Sequence, residues 1–162
     1  MLFDRGTIEL LRKTVERDGF IHLPAEGNSM FPLIRKDDLC QFVSCDPLQL
    51  KKGDIVLFYS QSGQLVAHRF CYTKKIDGQM NFVFKGDSNL GFDQPVQADK
   101  LIGKLTRIEK RHSTVNVNDF SIILWKKLVL TFPVLSGLLR KYINWSLVIR
   151  HRMNKMNVCF RC

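Results

Sequence analysis

The stretch Asp54-Ile55-Val56-Leu57-Phe58-Tyr59-Ser60, followed after a polar turn by Leu65-Val66-Ala67-His68-Arg69-Phe70-Cys71-Tyr72-Thr73, decides the fold. Both runs are short and rich in β-branched and aromatic residues, and turn-forming residues 60–64 separate them, which is the signature of strands. Working outward, the pattern recurs at residues 20–23, 39–45, 80–85, 101–108 and 113–117, with Asp77-Gly78 as a further turn signal. Six or seven short strands with no helix between them predict a mainly β protein, an antiparallel sheet system folded into a barrel or sandwich.

Helices are expected only at the two ends. Residues 7–17 space Ile8, Leu11 and Val15 three and four apart, an amphipathic helix stopped by Asp18-Gly19. Near the other end, Val134, Leu135, Leu138, Leu139, Tyr142 and Ile143 recur in helical register. Residues 120–132 are apolar nearly all round apart from Lys126 and Lys127, so two helices broken at Pro133 are expected. The longest uncharged run there is residues 128–139, interrupted by Pro133 and Gly137, whereas a membrane-spanning helix takes roughly 20 apolar residues. The helices are read either as packed on the sheet or as an interfacial pair with Trp125 and Trp145 at headgroup level.

The chain of 162 residues carries a net charge of +10, unevenly placed: residues 119–162 hold eight Lys or Arg against Asp119 alone. That tail would be drawn to an anionic surface, of which phospholipid headgroups are the preferred reading over nucleic acid. The five cysteines are odd in number and scattered, and residues 1–12 contain no apolar core of a secretory signal. Both features favour a reducing compartment, and the expected location is cytoplasmic or peripheral to a membrane. Cys159-Phe160-Arg161-Cys162 is a lone C-x-x-C without the second ligand pair of a zinc site. No metal or organic cofactor is implied.

Three segments carry chemistry. In the first, Gly27-Asn28-Ser29-Met30-Phe31-Pro32, Gly and Pro bracket a turn able to expose a serine Oγ while backbone N–H groups face a developing oxyanion. The second, Lys52-Gly53-Asp54-Ile55-Val56, leads into the strand bearing His68, and the third, Lys85-Gly86-Asp87-Ser88-Asn89, is followed by Asp93 and by Leu101-Ile102-Gly103.

In order and spacing these segments resemble the motifs shared by signal peptidase I and the LexA-type self-cleaving proteins, over about residues 20–104. There Ser-Met-x-Pro precedes an apolar pair and a Gly-Asp, and a Gly-Asp-Ile-Val strand precedes the strand of the general base. The resemblance makes Ser29 the nucleophile and His68 the base. His followed by Arg69 is similar to the branch of the endoplasmic reticulum and archaea, where most bacterial enzymes use Lys. A histidine, with a reference pKa of about 6.5, serves as a base without the desolvation that a lysine at about 10.4 needs. Asp93 is implied as the acid that orients His68, with Asp87 as the alternative, whose other role would be to bind backbone in its turn. Gly27, Asn28 and Met30 are expected in oxyanion or substrate binding beside the Ser29 N–H. Two departures stand out: Asp37 where the family has Gly, and Ser88 where it often has Asn.

The resemblance thus implies a peptidase domain over residues 1–118 and a basic amphipathic helical tail over 119–162. The implied activity is serine endopeptidase cleavage of a precursor or leader peptide. Two alternatives stand beside it, a LexA-like self-cleaving regulator and a non-catalytic relative that binds membrane or nucleic acid through its basic tail. His in place of Lys, and no Ala-Gly or Cys-Gly cleavage segment ahead of Ser29, weigh against the first. Ser29, His68, Asp87 and Asp93 together weigh against the second.

Overall fold

The computed structural model describes residues 5–159. Helix α1 (Arg5–Asp18) buries Ile8 and Val15 against the sheet, and Gly19, in the left-handed region at φ 80°, turns the chain out of it. Eight strands follow: β1 (Phe20–Pro24), β2 (Leu39–Val43), β3 (Ile55–Tyr59), β4 (Leu65–Ile76), β5 (Gln79–Lys85), β6 (Val96–Gln97), β7 (Leu101–Lys110) and β8 (Ser113–Asn116). Every pairing is antiparallel, in the order β1-β2-β7-β3-β4-β5-β6, with β8 added to β7. The protein is mainly β, as the strand pattern predicts.

The expected barrel does not form, because β1 and β6, the ends of this order, do not pair and the sheet stays open. The two-residue β6 offers too little ladder to continue the sheet. Ten-residue β7 acts instead as the spine, with β2 along one side and the other side shared between β3 and β8.

Strand alternation then separates two apolar cores. Ile55 and Leu57 of β3 join Met30, Leu33, Ile34, Phe42, Leu105 and Ile108 on one side. Val56 and Phe58 join Phe70, Phe82, Phe84, Val96 and Leu101 on the other. β3 is therefore buried on both faces, which explains why its sequence is apolar without alternation. The strand bearing His68 lies directly beside it.

Two helices close the chain, α2 (Phe120–Thr131) and α3 (Val134–Cys159), broken around Pro133 as expected and bent by 104°. Among the described residues no single helix is long and apolar enough to cross a membrane, although the bent pair passes that test together. α2 packs on the body through Ile122 and Val129. The side chains of His151 and Cys159, and Cys162 altogether, lie outside what the structure describes.

Candidate active site

Ser29 sits on a turn between β1 and β2. Phe31 N–H donates to Asn28 C=O (3.1 Å) and Ile34 N–H to Met30 C=O (3.0 Å), and the side chains of Met30, Leu33 and Ile34 anchor this turn in the first core. The N–H groups of Ser29 and Met30 have no acceptor among the described residues, which leaves them able to donate to an incoming oxyanion.

The carbonyl side of the turn is gripped by the Gly86-Asp87-Ser88 turn. Ser88 N–H donates to Ser29 C=O (2.9 Å), and Ser88 Oγ reaches the carbonyls of Asn28 (3.0 Å) and Ser29 (3.2 Å). A Cβ on Gly86 would stand 2.9 Å from Ser29 O, so this approach requires glycine.

His68 lies on β4 opposite Val56 of β3, where β4 passes from its pairing with β3 to its pairing with β5. Its ring is buried edge-on to Phe58, with centroids 6.3 Å apart. Nε2 is 2.8 Å from Ser29 Oγ, and Nδ1 is 2.6 Å from Asp93 Oδ2. Asp93 is in turn fixed by its own N–H, which donates to Phe84 C=O at 2.9 Å. Because an ionised carboxylate only accepts, Nδ1 carries the proton toward Asp93 and Nε2 presents a lone pair to the serine hydroxyl. Three side chains from three separate segments thus form a continuous Ser-His-Asp chain.

The next residue of β4, Arg69, points to the other face of the strand. Its Nε and Nη2 hold Asp87 Oδ1 and Oδ2 at 2.7 and 2.9 Å, a bidentate pair, and Nη1 donates to Gly53 C=O at 3.0 Å. Trp125 of α2 completes the cluster by donating from Nε1 to Asp87 Oδ2 at 2.8 Å. Gly53 itself, at φ 92°, lies under α2 so closely that a Cβ would meet the Lys126 side chain at 2.5 Å.

Of the expected site residues, Ser29, His68 and Asp93 are brought together, whereas the alternative acid Asp87 lies apart from them. Asp87 neither orients His68 nor caps its own turn, because Arg69 and Trp125 occupy both of its oxygens. Met30 is a core residue, 3% exposed, with its side chain in the first apolar cluster. Gly27 and Asn28 are exposed just ahead of Ser29, and Asn28 engages the fold through its carbonyl. Trp125 turns inward rather than to a headgroup layer. His22, exposed and 3.8 Å from Glu109, and His112, exposed in a turn, stand apart from the site.

Sequence reasoning missed the gripping role of Ser88 and the latch from Trp125. The Ser88 signal was its place in the Lys-Gly-Asp box; for Trp125 an indole among aliphatic helix residues gave no hint of a buried carboxylate 38 positions away. The three described thiols are poor nucleophiles: burial, reinforced by Asp38, pushes Cys40 up to about 12, and burial also raises Cys45 and Cys71. Among the described residues no cluster of His, Cys, Asp and Glu is arranged to hold a metal.

No family model matches the chain, and no curated protein matches it.

Proposed function

We propose that this protein is a serine endopeptidase of the signal peptidase I kind, working through Ser29, His68 and Asp93. The observation that carries the reading is the unbroken chain of contacts from Ser29 Oγ to His68 Nε2 (2.8 Å) and from His68 Nδ1 to Asp93 (2.6 Å). Ser29 Oγ attacks the scissile carbonyl while His68 Nε2 takes its proton, and the resulting imidazolium is stabilised against Asp93. The Ser29 N–H, with the Met30 N–H as second donor, meets the oxyanion. His68 then returns the proton to the leaving amine, and water attacks the acyl-enzyme by the same route in reverse. Arg69, Asp87 and Ser88 hold the loops in register without touching substrate.

The substrate class is an extended precursor or leader peptide, which the resemblance of the Ser29, His68 and Gly86 segments supports. Candidate precursors, including peptides encoded beside the gene, are incubated with purified protein and read by mass spectrometry. A cleavage site produced by the native chain and not by Ser29→Ala supports the proposal. Equal cleavage by both proteins, or no cleavage of any precursor or of the chain itself, counts against it.

A further inference from the structure

Only one side of the helix pair is used by the body of the protein. Ile122 and Val129 face inward on α2, and Trp125 lies between them on Asp87. On the outer side Phe120, Leu124 and Leu128 follow at four-residue spacing, from 80% exposed at Phe120 to 37% at Leu128. The stripe continues across the bend into Val134, Leu138 and Trp145 of α3, all more than half exposed. An apolar face of this extent on two consecutive helices is far more than the single exposed hydrophobics of an ordinary surface.

The charge around it identifies what would cover it. From residue 120 to 162 the sequence contains no Asp or Glu, and Lys127, Arg140 and Lys141 are exposed on the same helices. A protein partner that buried this face would have to leave those cations wet or supply matching carboxylates. An anionic bilayer surface satisfies both features, taking the apolar stripe into its acyl boundary while the lysine and arginine heads rise to the phosphates.

We propose that the outer face of α2–α3 seats on anionic phospholipid, both helices lying in the interface on either side of the 104° bend. The seat is continuous with the serine site: Tyr142 of α3 stacks on Phe31, two residues beyond Ser29, with ring centroids 5.7 Å apart. Docking there brings the catalytic turn down to the lipid surface. The proposal stands on the helices alone and does not depend on the peptidase reading.

It is tested with the full-length chain carrying Ser29→Ala, so that catalysis plays no part. Co-sedimentation with phosphatidylcholine vesicles containing phosphatidylglycerol should exceed that with phosphatidylcholine alone by roughly ten-fold or more, and salt should reduce it. Leu124→Glu and Leu138→Glu should each weaken binding by about ten-fold, with Leu138→Gln giving the same direction should the glutamates disturb folding. Trp145 fluorescence should shift to the blue on binding, while the Trp145→Phe chain, which keeps only the inward Trp125, should show no shift. Three results overturn the proposal. One is no preference for the anionic vesicles. Another is salt-sensitive binding untouched by the Leu124 and Leu138 changes, which marks a purely electrostatic polyanion site such as one for nucleic acid. The third is a stable dimer whose interface shields Trp145 from acrylamide.

Discussion

Strand β4 sets two carboxylate pairs side by side, His68 with Asp93 and Arg69 with Asp87, and the two carboxylates come from one loop. Consecutive residues of a strand face opposite ways, so the pairs share a backbone and nothing else. The Asp93 side chain keeps 24% of its surface and its partner reaches a serine at the open side of the turn. Asp87 keeps 1%, and Arg69 and the indole of Trp125 share its two oxygens. On the proposed reaction the two pairs divide the labour: the reachable pair would move a proton, and the sealed pair fixes the loops that carry it. Each substitution below is expected to fall on one side of that division.

The largest effects belong to the reachable side. Ser29→Ala and His68→Ala should each reduce peptide cleavage by about 10⁶-fold, because nucleophile and base act as a unit. Circular dichroism should leave both folds unchanged. His68→Lys should fail to restore activity, since nothing in a site with a carboxylate 2.6 Å away drives a lysine to give up its proton. Asp93→Asn comes next, with a loss of about 10⁴-fold in kcat from the wrong tautomer and little change in melting temperature. A stability loss as large as the activity loss would erase the distinction between the two pairs.

On the sealed side the order reverses. Asp87→Ala strands the Arg69 guanidinium in the interior and should destabilise the fold by about 3–5 kcal/mol, measured by urea denaturation. Its effect on activity, in whatever protein remains folded, should be far smaller than that of Asp93→Asn. Trp125→Phe keeps the apolar body and removes one donor to a charged acceptor, for about 1.5–3 kcal/mol. By the same logic, ending the chain at Asn118 removes Ile122, Trp125 and Val129 together and should unfold the body. The basic tail is part of the scaffold as well as an outward surface.

How much of this was legible follows from the range of each signal. The strands of the body were readable because β-branched runs such as Ile55-Val56-Leu57-Phe58 stand between clear turns, whereas Val96 of β6 is a single apolar residue beside Pro95 and gives no periodicity. The convergence of Ser29, His68 and Asp93 was readable because each sits in a segment whose order resembles a known pattern. The choice between Asp87 and Asp93 leaned on that pattern alone, since nothing in six residues of sequence says which carboxylate turns toward which face of β4. Sheet closure was not readable either, because it depends on the lengths of β1 and β6 at the edges, not on the composition of the middle.

The smallest expected effect concerns a third carboxylate, one with neither job. Asp37 makes no hydrogen bond or ion pair through its side chain among the described residues, yet its backbone lies at φ 70° in the left-handed region, where the resembling family carries glycine. The conformation is held from both sides: Asp37 N–H donates to Ala25 C=O at 2.8 Å, and the neighbouring Asp38 carboxylate accepts from Arg35 N–H at 2.8 Å. Aspartate tolerates this region better than most residues, and β-branched side chains tolerate it worst. Asp37→Gly relieves the Cβ contact but loosens the unfolded chain, so the two contributions should nearly cancel and leave stability within about 1 kcal/mol. Asp37→Val should cost about 1–2 kcal/mol. Cleavage by both variants should match the native rate, since the turn's departure from glycine removes no group that meets substrate. A Gly variant that folded normally but lost activity would give the Asp37 carboxylate a part in the reaction, and the protein would then have a third acidic role beside the two that β4 separates.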